Sequence, residues 1–139
     1  MANRLEFDAT NKIVRLSLEG AETDQDVLDA QAALKAFWDR CGPWNCIVDC
    51  TGVTDFPLLS ETIRFIAHKP PIISADCFEI VVAPTDAEFG LARMFEAVGE
   101  ESRLNVRVVR TMKEALDLIG VESPDFSPRS VDCEQSRAA

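Results

Sequence analysis

Residues 44–50 read WNCIVDC, a short run whose centre, Cys46-Ile47-Val48, is entirely apolar. A run of this kind is typical of a β-strand that is buried on both of its faces. The run FEIVVA at residues 78–83 predicts another buried strand, and VRVV at residues 106–109 is the last predicted strand. Amphipathic stretches separate the three runs, and strands that alternate with helices pair in parallel through right-handed crossovers.

Four helices are predicted around these strands. Thr23 is able to cap the first helix, because its hydroxyl can accept a hydrogen bond from a backbone N–H three residues on. The pairs Thr85/Glu88 and Thr111/Glu114 form capping boxes at the start of the third and fourth helices. Glycine or proline follows each helix and cannot continue it. The predicted helices occupy residues 23–42, 58–68, 85–99 and 111–120.

An antiparallel hairpin is predicted before the first helix. Residues 5–8 and 13–18 alternate apolar and polar side chains, and residues 9–12 between them suit a turn. The predicted order is ββαβαβαβα, a single-domain α/β fold with a mixed sheet of about five strands and about four helices. This domain covers residues 1–121. Residues 122–139 are polar and without periodicity, which predicts a disordered tail.

Composition narrows the classes of function. The chain has 139 residues and a formal net charge of −10 at pH 7. An acidic surface repels phosphate groups, so nucleic acid is not an expected partner. No apolar run is long enough to span a membrane, and the first residues, MANRLEFD, do not form a targeting peptide. We therefore expect a cytoplasmic protein with no membrane span.

The five cysteines are expected to be free thiols. Their number is odd and no C-x-x-C pair is present, which favours a reducing cytoplasm. Scattered cysteines and one histidine lack the spacing of zinc ligands, and no glycine-rich phosphate loop is present. No metal and no cofactor are expected. The cysteines are Cys41, Cys46, Cys50, Cys77 and Cys133.

Few residues offer catalytic chemistry. His68, the single histidine, lies at a predicted helix end, where a cationic side chain is favourable. Arg64 shares its face, so the pair is also able to hold an anion or an acidic partner. Asp49 and Asp55 flank a strand end, as in phosphate-accepting receiver domains, but the last strand ends in Val109-Arg110-Thr111 without the lysine of those domains. No catalytic residue is predicted, and an enzyme built from Ser60, Asp49, Asp55 or His68 ranks third among the hypotheses.

Four segments resemble a known family of small α/β domains. They read IVDCTGVT at residues 47–54, FGLARMFE at 89–96, VRVVR at 106–110 and EAL at 114–116. With the order of elements along residues 5–120, they resemble STAS (SpoIIAA-like) domains, the anti-sigma-factor antagonists, and the STAS/Sec14-like branch of small bacterial proteins. The resemblance implies a regulatory domain that binds proteins.

The resemblance also implies a phosphorylation site at the start of the second predicted helix. The matching position is Ser60, and a helix N-terminus stabilises a phosphate. Leu59 and Glu61 replace the acid and the small residue that flank the site in the family, and the charge of Glu61 opposes a phosphate. The sequence therefore predicts that the phospho-switch is not intact and that Ser60 caps the helix.

Two functions remain. The main hypothesis is a non-enzymatic interaction module that binds a partner protein or a second copy of itself through the apolar connection at residues 56–59 and the second helix. The alternative is a carrier or sensor of a small apolar ligand, as the Sec14-like resemblance implies. Its pocket is expected beside the second and third helices, with Arg64 or Arg93 anchoring an acidic headgroup. The predicted interaction surface comprises Asp55, Phe56, Pro57, Leu58, Leu59, Ser60, Arg64 and His68.

Overall fold

The computed structural model describes residues 3–55, 65–66, 72–73, 76–98 and 105–128. Five strands form one sheet, with the neighbours in chain order. The first pair is antiparallel and the other pairs are parallel, so the predicted mixed α/β sheet is confirmed. The strands are β1 (Asn3–Asp8), β2 (Ile13–Ala21), β3 (Asn45–Asp55), β4 (Glu79–Val82) and β5 (Val106–Val109).

The described residues contain three helices, α1 (Asp24–Cys41), α2 (Asp86–Val98) and α3 (Met112–Ile119). The Thr23 hydroxyl caps α1 by accepting a hydrogen bond from the Asp26 backbone N–H at 3.2 Å, as predicted. Of the predicted 58–68 helix only Phe65 and Ile66 are described, and both are helical. None of the three helices is long and apolar enough to cross a lipid bilayer.

The two faces of the sheet are covered by different helices, because successive strand residues point to opposite faces. On one face, Leu16, Cys50 and Val81 pack with Ala30 of α1 and Phe89 of α2. Burying one large apolar side chain stabilises the folded state by roughly 1.5–3 kcal/mol, so the most apolar strands lie at the centre of the sheet. On the other face, Ile13, Ile47, Ile80, Val82 and Val109 pack with Ala115 of α3.

The sequential strand order leaves a strip of the α1/α2 face for the connection between β3 and β4. Right-handed crossovers between parallel neighbours in chain order all lie on one face of a sheet. α1 and α2 are the first and third of these crossovers, and the β3–β4 connection is the second. Its described apolar residues include Ile66 and Ile73, which are both buried.

The chain after α3 differs from the expected disordered tail. Phe7 of β1 and Ser127 exchange two backbone hydrogen bonds of 2.7 and 2.8 Å. The Asp125 N–H donates to the buried Asp8 carboxylate at 3.0 Å, and Phe126 packs on the α3 face. The prediction of disorder is therefore wrong for residues 122–128, because the edge strand β1 offers unpaired backbone groups to them. Residues 129–139 lie outside the described residues.

The cysteines are only partly as expected. Cys46 and Cys50 are buried free thiols on the same face, as their spacing predicts, and Cys77 is half-buried and not part of a disulfide. Cys41 is disulfide-bonded, so the prediction of a free thiol is wrong there. A disulfide at Cys41 is not expected in a reducing compartment.

Candidate ligand-binding cavity

A cavity of about 80 Å³ lies between the sheet and the helices α1 and α2. It is several times larger than the roughly 10–15 Å³ that one water molecule needs. Ile66 of the β3–β4 connection also borders it. The described residues around it are Leu16, Leu18, Val27, Ala30, Gln31, Val48, Cys50, Ile66, Glu79, Val81, Glu88, Leu91, Ala92 and Phe95.

Apolar side chains form most of the lining, and regular periodicity brings them there. Leu16 and Leu18 point from the same face of β2, since they are two residues apart. Leu91 and Phe95 follow one another on the inner face of α2 at a spacing of four. The sequence pattern marks these residues as buried, but it does not distinguish a packed core from a cavity wall.

Glu88 is the most unusual residue in the lining. Only 5 % of its surface is exposed, and its Oε2 atom has no hydrogen-bond partner. Its backbone N–H donates to the Thr85 hydroxyl at 3.2 Å, which is one half of the predicted capping box. Burial raises the pKa of the Glu88 carboxyl, and the Thr85 hydroxyl offsets part of that rise. The carboxyl is thus held in an apolar cavity without a full set of partners, which is energetically costly.

The other polar lining groups are also acidic or neutral. Glu79 is buried at the beginning of β4, whereas Glu88 follows the end of that strand, so the acids lie toward opposite ends of β4. Gln31 of α1 adds an amide. No lysine, arginine or histidine is found among the described lining residues. Apart from the Cys50 thiol, the ionisable groups in the described lining are therefore both acidic.

The Cys50 thiol in the lining is a poor nucleophile. Its burial raises the pKa of the thiol, and the negative charges of Glu88, Asp49 and Glu22 raise it further. A thiol must be ionised to attack a substrate, and this one remains protonated at neutral pH. Cys50 consequently acts as a small apolar wall group.

Glu22 lies next to this site, at the end of β2. It is completely buried, and neither of its carboxyl oxygens has a hydrogen-bond partner. Burial raises its pKa to about 7, and the charges of Asp26 and Glu19 raise it further. The nearby backbone of Glu19 lowers the pKa in part, although it does not meet the geometry of a hydrogen bond. The charges of Glu22 and Glu88 both raise the pKa of the Cys50 thiol, so the two buried carboxyl groups lie in one region of the molecule.

Most of the residues predicted to form a site lie outside the described residues. This holds for Phe56, Pro57, Leu58, Leu59, Ser60, Arg64 and His68. Asp55 is described and exposed, and its carbonyl oxygen accepts a hydrogen bond from the Glu22 N–H at 3.1 Å.

Asp49 and Asp55 do not form a carboxylate pair. They lie six residues apart on the extended strand β3, which corresponds to about 20 Å. Asp49 is buried, and its carboxylate accepts a hydrogen bond from the Thr51 N–H at 3.0 Å. The receiver-like arrangement considered from the sequence is therefore wrong.

Arg93 does not anchor a headgroup in the cavity. Its side chain is 60 % exposed and pairs with Glu96 at 3.0 Å, and it is not one of the described lining residues. Ile66 and α2 both border the cavity. Arg64, the other predicted anchor, lies outside the described residues. From the sequence, Glu88 is predicted only to cap a helix. The sequence carries one further signal at this position, which is an acidic residue among the apolar positions of α2.

No group of three or more metal-binding side chains occurs in the described part of the chain. A scan against models of known protein families gave no match, and neither did a search of curated proteins. The resemblance to STAS domains therefore stays a prediction.

Proposed function

We propose that this protein is a carrier or sensor that binds a small apolar ligand between the sheet, α1 and α2. The observation that carries this proposal is the cavity itself, which is lined mainly by apolar side chains at the place expected for a pocket. Binding of an apolar ligand in this cavity is favourable because apolar surface of the ligand and of the lining is removed from water. The few polar groups in the lining supply orientation.

The lining groups support binding more than catalysis. The Cys50 thiol is kept protonated by burial and by neighbouring carboxylates. The described lining also offers no histidine or lysine to act as a general base beside it. The described groups at this site therefore favour retention of a ligand over its chemical conversion.

The test is isothermal titration calorimetry with hexanol as a neutral apolar probe, on the wild-type chain and two variants. Ala92→Leu adds bulk at the cavity wall, whereas Ala97→Leu makes the same change at an exposed position of the same helix. We expect the wild type and Ala97→Leu to bind hexanol and Ala92→Leu to bind at least tenfold more weakly. Absence of binding to the wild type, or equal binding by all three proteins, would contradict the proposal.

A second candidate function, the interaction module, is favoured by one described residue. Phe65 is 58 % exposed and lies in the segment predicted to contact a partner or a second copy. Sedimentation velocity on Phe65→Glu tests this, with Leu118→Glu as the control, since Leu118 is 43 % exposed in α3 on the other face. The interaction hypothesis predicts that only Phe65→Glu lowers self-association. If the sedimentation distribution is unchanged for both variants, Phe65 is not part of an interaction surface.

A further inference from the structure

We infer that the ligand of this cavity is an apolar amine, whose protonated nitrogen binds the Glu88 carboxylate while its hydrocarbon part fills the apolar lining. This inference rests on the proposed function and adds the chemical class of the ligand. It starts from Glu88, which is 95 % buried. The Oε2 atom of its carboxyl group has no hydrogen-bond partner in the protein. A buried acceptor of this kind is stabilised by a ligand that brings a donor.

The charges around the cavity select the sign of the ligand. Glu79 and Glu88 line it, and the described lining contains no basic side chain. Glu22 and Asp49 lie close enough to act on Cys50 in the same wall. The nearest described cation to Asp49 is Arg15, whose Nε atom lies 4.0 Å from that carboxylate, but Arg15 is not a lining residue. Among the described groups, the buried Glu88 carboxylate therefore favours an ammonium group over a carboxylate or phosphate headgroup.

The lining also limits the rest of the ligand. The walls at Leu16, Val81, Leu91 and Phe95 offer only hydrocarbon surface. Because the cavity measures about 80 Å³, it suits a short alkyl group better than a long acyl chain. Gln31 is the remaining neutral polar group, and its amide oxygen is able to accept a second ammonium hydrogen.

The inference is tested with a matched series of hexylamine, hexanol and hexanoate, titrated calorimetrically into the full-length protein at pH 7. We expect hexylamine to bind about ten- to a hundredfold more tightly than hexanol, as a hydrogen bond to a charged group allows, and hexanoate to bind more weakly than hexanol. In Glu88→Gln the preference for the amine should disappear while hexanol still binds. Glu96→Gln, on the same helix and outside the described lining, should keep the amine preference.

The outcomes separate the two proposals. If neither hexylamine nor hexanol binds the wild type, the proposed function fails. If hexanol binds but hexylamine binds no more tightly, or if Glu88→Gln keeps the amine preference, the function stands and the amine inference is overturned. Retained hexanol binding by Glu88→Gln also shows that this variant is folded.

Discussion

Glu22 predicts an unusual dependence of stability on pH. Its carboxyl is completely buried without a hydrogen-bond partner, and its pKa rises from the ordinary value of 4.5 to about 7. The folded state therefore holds this proton more tightly than the unfolded state does. The stability that depends on it is fully present below about pH 4.5 and is lost as the pH rises through about 7. The complete loss amounts to about 3 kcal/mol, at 1.36 kcal/mol for each pH unit between the two pKa values.

The measurement is the free energy of unfolding in urea at pH 5.0 and pH 7.5, for the wild type and for Glu22→Gln. Other carboxyl groups also titrate, so the informative quantity is the difference between the two proteins at each pH. We expect the wild type to lose about 2 kcal/mol more than Glu22→Gln between these pH values. Asp29→Asn, which removes an exposed carboxyl from α1, should follow the wild-type profile. A wild-type minus Glu22→Gln difference that stays constant with pH would refute the reasoning.

Three further predictions concern the C-terminal segment, the disulfide and a helix end. Asp8→Ala should lower the free energy of unfolding by about 3 kcal/mol and increase hydrogen exchange at Asp125 and Ser127, because the buried Asp8 carboxylate accepts bonds from Asn11 and from the Asp125 N–H; unchanged exchange there would argue against this anchor. With one intrachain disulfide at Cys41, three of the five cysteines should react with Ellman's reagent in denaturant, and all five after reduction; five reactive thiols before reduction would contradict the bond. Gly120→Ala should cost about 1 kcal/mol in urea unfolding, since Gly120 ends α3 at a φ of 85°; an unaltered midpoint would show that the turn adapts.

The amine inference changes what a partner search should look for. From the sequence, an acidic headgroup held by Arg64 or Arg93 was the expected ligand feature. The described wall has Glu79 and Glu88, Arg93 pairs with Glu96 outside it, and Arg64 lies outside the described residues. Cell extracts should therefore be screened for bound bases, and native mass spectrometry with a denatured control is the direct way to do so.

Local sequence features predicted much of the fold. The apolar run at residues 79–82 is fully buried in β4, the centre of β3 is buried at Cys46, Ile47 and Cys50, and Thr23 and Thr111 cap their helices. These features are readable because periodicity and capping depend on residues within a few positions of one another. The candidate site was less predictable, because a cavity wall and a solid core require the same apolar spacing.

The amino-acid sequence by itself determined the order of strands and helices, the initial hairpin and the helix caps, since each depends on short-range hydrogen bonds and side-chain periodicity. The tertiary structure decided the rest. The docking of residues 122–128 on β1 depends on Asp8 and Phe7, which lie more than a hundred residues earlier in the chain. The lack of a hydrogen-bond partner at the Glu22 carboxyl and at Oε2 of Glu88 depends on which groups the folded chain places beside them. Burial and electrostatic potential arise only when distant segments pack together, and they turn one residue of a predicted capping box into the proposed ligand anchor.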